Sequence, residues 1–372
     1  MTTDEGTAPR DPGTTEKPAS LGYRMPAEWE PHEATWIAWP HNREDWPGKF
    51  APIPWVYTEI VRLLSRSEQV NIFIKGRKRE SRAAELLDSA GVDLANVAFV
   101  QAQTDRVWTR DSGPTFVVNA AAKAPEERLG LVDWRFNGWA KYDNHRHDNR
   151  LPRKIARRLS RKRWVVRTEL EGVSTRVVME GGAIDVNGKG TLLTTEECLL
   201  SDVQARNPGL DRAGVERVFA DYLGVSHVIW LAHGIDGDDT HGHVDDLARF
   251  IDPKTVVAVV EPDVLDPNHE RLQENLKRLR KARDQDGEKL RIVELPMPAP
   301  VLFEGQRLPA SYANFYIANK VVLVPTFNDP NDRIALNTLA KLFDDREVAG
   351  VHCLDLVLGL GTLHCLTQQQ PA

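Results

Sequence analysis

The sequence is poor in cysteine and contains no long apolar run. Its three cysteines, Cys198, Cys353 and Cys365, are an odd number without CxxC spacing. This argues against a disulfide framework or a thiolate zinc site, and it favours a reducing, cytoplasmic setting. No apolar stretch approaches the length of a membrane span, and the first residues contain no apolar segment of a secretory signal. The sequence therefore predicts a cytoplasmic protein that does not act at a membrane.

An excess of basic residues is also missing. The net charge is −6, which argues against nucleic acid as a main partner and is compatible with a cationic ligand. With 41% hydrophobic residues, the chain can build a packed core. Residues 1–21 are rich in Thr, Pro, Gly and charge, and they predict a disordered tail. Residues 22–372 show no linker and predict a single domain.

Helical and strand patterns alternate five times along this domain. Predicted helices lie near residues 54–66, 149–163, 211–223, 267–286 and 329–343. Each leads into a predicted strand, at 70–75, 164–170, 227–232, 291–296 and 347–352. Strand pairs with tight turns follow most of these units, at 181–195, 247–260 and 312–325. The first unit has its pair later, near 115–118 and 130–136. This order predicts an α/β fold with an internal five-fold repeat, closed into a ring of small mixed sheets.

A polar residue stands at the entry to each strand pair. These residues are Asp111 in WTRDSGP, Glu180 in MEGG, His243 and Asp245 in GHVDD, Asn314 in SYANF and Cys365 in GTLHC. Equivalent positions in a ring of repeats face one axis, so these side chains should meet in a central pocket. A lone cysteine is usually a small buried hydrophobe, and Cys198 and Cys353 keep that interpretation. The combination of thiol, imidazole and three carboxylates favours catalysis with Cys365 as nucleophile and His243 as acid and base.

The segment THGHVDD also permits a second chemistry. His241, His243 and Asp245 have the spacing of metal ligands, and on a strand the two histidines would share a face. A metal-dependent hydrolase is therefore an alternative to the cysteine-based enzyme. The cysteine chemistry itself needs no metal and no cofactor.

Six separated motifs resemble the bacterial-type peptidyl-arginine deiminase family and, within it, the agmatine deiminases of the guanidino-group-modifying superfamily. The motifs are MPAEWEPHEATWIAWP, WTRDSGPTFVV, EGGAIDVNGKGTLLTTEECLL, GHVDDLARF, ASYANFYIAN and LHCLTQQQP, in order from about residue 22 to the end. The resemblance implies a five-bladed α/β propeller of the pentein type. It implies conversion of agmatine to N-carbamoylputrescine and ammonia without a cofactor. It also implies a catalytic set of Cys365, His243, Glu180, Asp111 and Asp245.

The expected partner is a small cationic guanidino compound, and the chain could also form a homo-oligomer. Two carboxylates can hold a planar guanidinium by paired hydrogen bonds, a role that suits Asp111 and Asp245. Trp108 and Asp239 are expected to bind the rest of the substrate; further candidates are Trp39, Glu28 and Glu30.

The sequence departs from the family pattern at His241, where many members carry an acidic residue, and in the segment FNGWAKYDNHRHDNR. These departures concern the pocket rather than the catalytic set. Arginine or peptidyl-arginine as the substrate, and a catalytically silent guanidino-binding propeller, therefore stay as alternatives.

Overall fold

Helices and strands alternate through residues 16–372, the part of the chain that the computed structural model describes. The α-helices are α1 (Ile53–Leu64), α2 (Arg77–Ser89), α3 (Thr109–Ser112), α4 (Leu151–Leu159), α5 (Glu196–Leu200), α6 (Arg212–Leu223), α7 (Asn268–Lys281), α8 (Pro330–Leu342) and α9 (Leu363–Leu366). The first ten strands are β1 (His32–Ala38), β2 (Gln69–Ile74), β3 (Val97–Gln101), β4 (Thr115–Val118), β5 (Leu129–Asp133), β6 (Lys162–Val165), β7 (Arg167–Leu170), β8 (Val173–Arg176), β9 (Asp185–Val186) and β10 (Thr191–Thr195). The others are β11 (His227–Leu231), β12 (Ala248–Asp252), β13 (Thr255–Val260), β14 (Arg291–Pro296), β15 (Leu302–Phe303), β16 (Gln306–Arg307), β17 (Tyr316–Ile317), β18 (Val321–Thr326), β19 (Glu347–His352) and β20 (Gln368–Pro371).

The predicted tail of residues 1–21 overlaps the described part of the chain at residues 16–21. Residues 1–15 lie outside the described part of the chain, but Ala19–Leu21 form a 3-10 turn. The Lys17 ammonium donates to Tyr222 Oη at 2.6 Å and lies over the same ring. This contact holds residue 17, within the predicted tail, against α6.

Five mixed sheets of the described chain share one pairing pattern. The sheets are β20-β1-β2-β3, β4-β5-β6, β9-β10-β11, β12-β13-β14 and β17-β18-β19. In each, a central strand has an antiparallel neighbour on one side and a parallel neighbour on the other. Two further hairpins, β7-β8 and β15-β16, stand apart. The mixed α/β class is confirmed, but the hydrogen bonds of the described strands do not join these sheets into one closed sheet.

All five predicted helix-then-strand units are present, as α1–β2, α4–β6, α6–β11, α7–β14 and α8–β19. The assignment of strand pairs to units was wrong. In the five mixed sheets, the second strand of each hairpin pairs in parallel with the next strand along the chain. A helix lies between these two strands, because a helix is the usual crossover between parallel neighbours. The β4-β5 hairpin therefore joins β6, and the first unit receives its antiparallel strand from the C-terminus, where β20 pairs with β1.

Local sequence explains where several elements begin and end. Helix α8 starts with Pro330 after Asp329, whose side chain forms a capping box with Asp332. Helix α6 ends at Leu223 and is capped by Gly224, whose φ of 68° is a conformation that suits glycine. The β9–β10 hairpin turns at Asn187, whose side chain accepts from the backbone N–H groups of residues 189 and 191.

The apolar faces of these elements form two buried clusters. The larger cluster joins the β1, β13 and β18 sheets through residues such as Ile37, Val257 and Leu323. The smaller one lies where α6 meets the β5 and β10 sheets, around Phe219 and Leu192. None of the helices in the described chain is both long and apolar enough to cross a membrane. The packing of the sheets in these two clusters supports the short turns that precede the first strands of the sheets.

Candidate active site

Short polar turns come just before the first strand of each strand pair. They place Asp111 in α3 before β4, Glu180 before the 3-10 turn Gly181–Ala183 and β9, His243 and Asp245 at the 3-10 turn Val244–Asp246 before β12, Asn314 before β17, and Cys365 in α9 before β20. Helix α3 contacts both α9 and the 181–183 turn, which in turn contacts the 244–246 turn. Residues far apart in sequence therefore meet, as the repeat pattern predicted.

His243 is fully buried between three carboxylates. Its Nδ1 lies 3.8 Å from Asp111 Oδ1 and 4.0 Å from Asp245 Oδ1, and its Nε2 lies 3.6 Å from Glu180 Oε2. Burial opposes protonation, but Asp111, followed by Cys198 and Glu180, raises the pKa of His243 well above its ordinary value. The ring therefore holds a proton that it can donate, and Nδ1 faces the two carboxylates predicted to bind substrate.

The Cys365 thiol lies beside an amide and a carboxylate. Its Sγ is 3.1 Å from Asn314 Nδ2 and 3.6 Å from Asp245 Oδ2, and the residue is buried. Burial, followed by Asp245 and Asp246, raises the pKa of Cys365 well above its ordinary value. The thiol is therefore protonated before a cationic substrate adds its charge, because the neighbouring carboxylates disfavour a thiolate.

Asp111 is fixed through both oxygens. Oδ1 accepts from the Gly182 N–H at 2.9 Å, and Oδ2 accepts from Trp139 Nε1 at 2.8 Å. Burial raises the pKa of Asp111 to about 6, and Asp245 and Glu180 contribute to the rise. Trp139 was missed in the sequence analysis, where its segment was noted only as a departure from the family pattern.

A buried arginine that the sequence analysis also missed supports Glu180. Arg206 Nε lies 3.2 Å from both carboxylate oxygens of Glu180, and Arg206 Nη2 donates to the Thr240 carbonyl oxygen at 2.5 Å. Burial opposes ionisation, but Arg206 and His243 lower the pKa of Glu180. A buried carboxylate requires such a partner, yet nothing in the sequence around residue 206 identifies it.

The alternative ligand set of His241, His243 and Asp245 does not come together. The Asp238 carboxylate accepts from the backbone N–H groups of residues 240 and 242, so this segment wraps into a turn instead of a strand. His241 has φ 63°, and its Nε2 lies 3.2 Å from the Ser201 hydroxyl. The two histidines therefore do not share the face that a strand would give them.

A different group of three ligand-type side chains does approach within 4.8 Å in the described chain. It consists of Glu180, Cys198 and His243. Cys198, predicted to be an ordinary core residue, thus lies beside the His243 imidazole. The Arg206 guanidinium already pairs with the Glu180 carboxylate, so a metal ion here would have to share that carboxylate with a fixed cation.

A small pocket leads to Cys365. Its lining comprises Arg106, Trp108, Asp111, Trp139, Tyr142, Asp239, Thr240, Gly359, Leu360 and Cys365. Trp108 and Asp239 thus lie where the sequence analysis expected substrate contacts. Asp239 already forms an ion pair with Lys141 and accepts from Tyr142 Oη at 2.8 Å.

Three further candidates for substrate contacts lie elsewhere. Trp39 lines a separate pocket with His41 and Lys75. Glu30 pairs with Arg24 at 2.7 Å. Glu28 is buried among cations and is not among the residues that line the pocket leading to Cys365. Their acidic or aromatic character suggested a role, but their sequence positions do not show which neighbours they pack against.

Comparison with known protein families gives a match over nearly the whole chain. Residues 24–371 match the model of the Porphyromonas-type peptidyl-arginine deiminase family. The chain belongs to this family. The predicted family membership is thus confirmed over nearly the whole sequence.

Relatives of this family member include enzymes with a named activity. The agmatine deiminase of Pseudomonas aeruginosa (strain LESB58) is 36% identical over 96% of this chain and 98% of its own length. The agmatine deiminase of Enterococcus faecalis has a similar structure, with a TM-score of 0.85, 32% identity and coverage of 98% of this chain and 99% of that one. A C. jejuni agmatine deiminase with substrate bound gives a TM-score of 0.81 and 29% identity, over 94% of this chain and 96% of that one.

Proposed function

We propose that this protein hydrolyses agmatine to N-carbamoylputrescine and ammonia through a covalent amidino-cysteine intermediate. The observation that carries the proposal is the convergence of a buried thiol, a protonated imidazole and three carboxylates from turns far apart in the sequence. The similarity to agmatine deiminases along the whole chain supports the same activity.

In this proposal, Asp111 and Asp245 bind the guanidinium. Asp245 Oδ1 is buried and has no hydrogen-bond partner among the described residues, so it is free to accept an N–H of the substrate. Paired, charge-assisted hydrogen bonds fix the planar group and place its central carbon against Cys365 Sγ. The arriving cation also offsets the nearby carboxylates and lowers the pKa of the thiol, so the thiol releases its proton to solvent and becomes the thiolate.

Attack by the thiolate forms an S–C bond and a tetrahedral adduct. His243 Nδ1 faces Asp111 and Asp245 and therefore gives its proton to the leaving nitrogen, so that ammonia departs. The neutral imidazole then removes a proton from water, which attacks the amidino carbon. The C–S bond breaks, the hydroxyl proton of the adduct passes to the departing sulfur, and the neutral ureido product leaves with the thiol restored. Glu180, held by Arg206, stabilises the imidazolium from the Nε2 side.

We also propose that the five mixed sheets are the blades of a five-bladed α/β propeller. Two observations support this arrangement: the sheets share one pairing pattern, and the turns at equivalent positions contact each other. The C-terminal strand β20 pairs with β1, as expected if the last segment completes the first blade. The predictions of a homo-oligomer, of a cytoplasmic location and of no nucleic-acid or membrane partner stay predictions.

Ammonia release from a panel of guanidines tests the proposed function. Agmatine, arginine and an arginine-ended peptide should be compared side by side, before and after prolonged dialysis against a strong chelator. We expect agmatine to be preferred over arginine by at least about tenfold in kcat/KM, with no effect of the chelator. Equal or better turnover of arginine would overturn the substrate, and loss of activity restored by zinc would favour a metal hydrolase.

A further inference from the structure

A buried ionic cluster lies behind Asp245, and the mechanism above does not use it. Its members are Glu28, Arg110, Arg249 and His364, and we call it the Glu28 cluster. Each of these side chains is buried. Burying four ionisable groups is costly unless each is paired, so their arrangement requires an explanation.

His364 connects this cluster to the site. Its Nδ1 lies 2.7 Å from Asp245 Oδ2, and its Nε2 lies 2.9 Å from Glu28 Oε2. A neutral imidazole can donate from only one nitrogen, whereas an imidazolium donates from both. Two ionised carboxylates at hydrogen-bonding distance therefore require a ring that carries two protons.

Glu28 is held firmly enough to orient that ring. Its carboxylate pairs with Arg110 Nη2 at 3.0 Å and Arg249 Nη2 at 2.8 Å, and it accepts from the backbone N–H of Ile317 at 2.8 Å. Burial opposes ionisation, but Arg249, His364 and Arg110 lower the pKa of Glu28 well below its ordinary value. The carboxylate is thus an anion with partners from several segments of the chain.

The two arginines are anchored as well. Arg110 Nη1 donates to Gln369 Oε1 at 2.6 Å, and Arg249 pairs with Asp185 and donates to the Phe315 carbonyl oxygen. With Asp185 and Asp245 included, the cations Arg110, Arg249 and His364 face the carboxylates Glu28, Asp185 and Asp245. Within this group, an imidazolium at His364 gives three cations to three carboxylates.

Asp245 shows the consequence of this pairing. Burial opposes its ionisation, but the hydrogen bond and charge of His364, then His243 and Arg249, lower the pKa of Asp245 below its ordinary value. Because His364 engages Oδ2, Oδ1 is left toward His243 Nδ1 and the substrate position. The same turn, α9, carries Cys365, so one element sets both the thiol and the orientation of the carboxylate.

We propose that His364 is a positioning residue whose imidazolium, held by Glu28, fixes Asp245 so that Oδ1 faces the guanidino group. This inference rests on the proposed deiminase reaction. In this inference, His364 orients a carboxylate, whereas His243 transfers protons.

Kinetics of two substitutions test the proposal. His364→Leu removes both donors, whereas His364→Asn keeps an amide near the position of Nδ1 that can still donate to Asp245. We expect His364→Leu to raise KM for agmatine about 10- to 100-fold with a smaller fall in kcat, because a charge-assisted contact is lost. We expect His364→Asn to recover part of that loss. His269→Leu removes an imidazole that bonds the Glu261 carbonyl oxygen beside α7, and it serves as the control.

If the Leu and Asn variants behave alike, or if kcat falls while KM stays at the wild-type value, the positioning role is wrong. Neither variant is certain to fold, since each leaves the Glu28 carboxylate without one partner. Neutron diffraction from crystals of the deuterated wild-type protein therefore provides a second measurement. Deuterium on both ring nitrogens of His364 supports the proposal, and deuterium on one nitrogen overturns it. Absence of ammonia release by the wild type would overturn the proposed function, and the neutron result would still decide the state of His364.

Discussion

Asp111 and Asp245 are both buried carboxylates, but their pKa values are shifted in opposite directions. Asp245 is stabilised as an anion by His364, whereas burial raises the pKa of Asp111 to about 6. Asp111 must be ionised to accept a guanidinium N–H, and it takes up a proton as the pH falls through that value. We therefore expect kcat/KM for agmatine to fall about tenfold per pH unit below pH about 6. A pH profile measures this limb, and a flat profile down to pH about 5 would contradict it.

Cys365 is the residue whose loss should end turnover. Cys365→Ala removes the nucleophile from a packed but small position, so we expect activity below about one per cent of wild type and an unchanged fold. Cys353→Ala, a substitution of another fully buried thiol, is the matched control and should keep its activity. Ammonia release and circular dichroism measure the two properties. More than a few per cent of activity in the Cys365 variant would remove the thiol from the mechanism.

Asp239 is the residue expected to distinguish agmatine from arginine. It lies in the pocket with Cys365, where the exposed Lys141 ammonium now neutralises it. The ammonium of agmatine could replace Lys141, whereas the carboxylate of arginine would face an acid. We expect Asp239→Asn to lower kcat/KM for agmatine about tenfold, the effect of one charged hydrogen bond, and to change the arginine value less.

Lys141→Met is the partner experiment for Asp239. It removes the competing cation and should raise kcat/KM for agmatine. If both variants handle agmatine as the wild type does, Asp239 has no part in binding it.

At the scale of elements, the turn Gly181–Ala183 brings backbone unusually close to the catalytic groups. A Cβ added at Gly182 would lie 2.5 Å from His243 Nδ1 and 2.9 Å from oxygens of Asp111 and Asp245. We expect Gly182→Ala to lower kcat by about 100-fold or more, because it displaces groups that must stay within a fraction of an ångström. Gly91→Ala is the control, since its Cβ meets no atom within 4 Å but its φ of +74° disfavours alanine. That change should reduce stability by about 1 kcal/mol and leave kcat unaltered.

Helices and strands were predicted correctly where apolar residues recur with a regular period. The conformation of a segment was not predicted where it depends on side-chain hydrogen bonds. The five helix-then-strand units were predicted from the spacing of apolar residues, and all five are present in the structure. The metal alternative required a strand around His241, but the Asp238 carboxylate organises this segment into a turn by accepting from backbone N–H groups. Periodicity does not report such hydrogen bonds, so the metal set built on that strand was wrong.

At the scale of the whole molecule, the missed residues share one property: their role depends on burial. The sequence pattern around Arg206, Trp139 and His364 does not indicate a role. Each becomes important because it contacts a buried carboxylate. Motifs located Cys365 and His243, the proposed nucleophile and the proposed acid and base. The supporting partners come from other segments and are found only when the fold is known.

Among the described strands, β1 and β20 form the pair with the largest separation in sequence, and this pairing was not predicted. Strand β20 completes the sheet of β1, Gln370 Oε1 accepts from Trp36 Nε1 at 2.9 Å, and Gln369 holds Arg110. Deleting residues 368–372 should therefore expose the edge of β1 and release α9, which carries Cys365. We expect a loss of about 4 kcal/mol or more in the free energy of unfolding, at about 1 kcal/mol for each strand hydrogen bond, together with loss of activity.

Gln370→Leu is the milder companion to that deletion. It keeps the strand, removes only the bond to Trp36, and should cost about 1 kcal/mol with activity retained. Denaturant titration followed by ammonia release measures both quantities. A shortened chain that keeps the wild-type stability and turnover would show that the C-terminal strand neither completes the first sheet nor sets the position of the nucleophile.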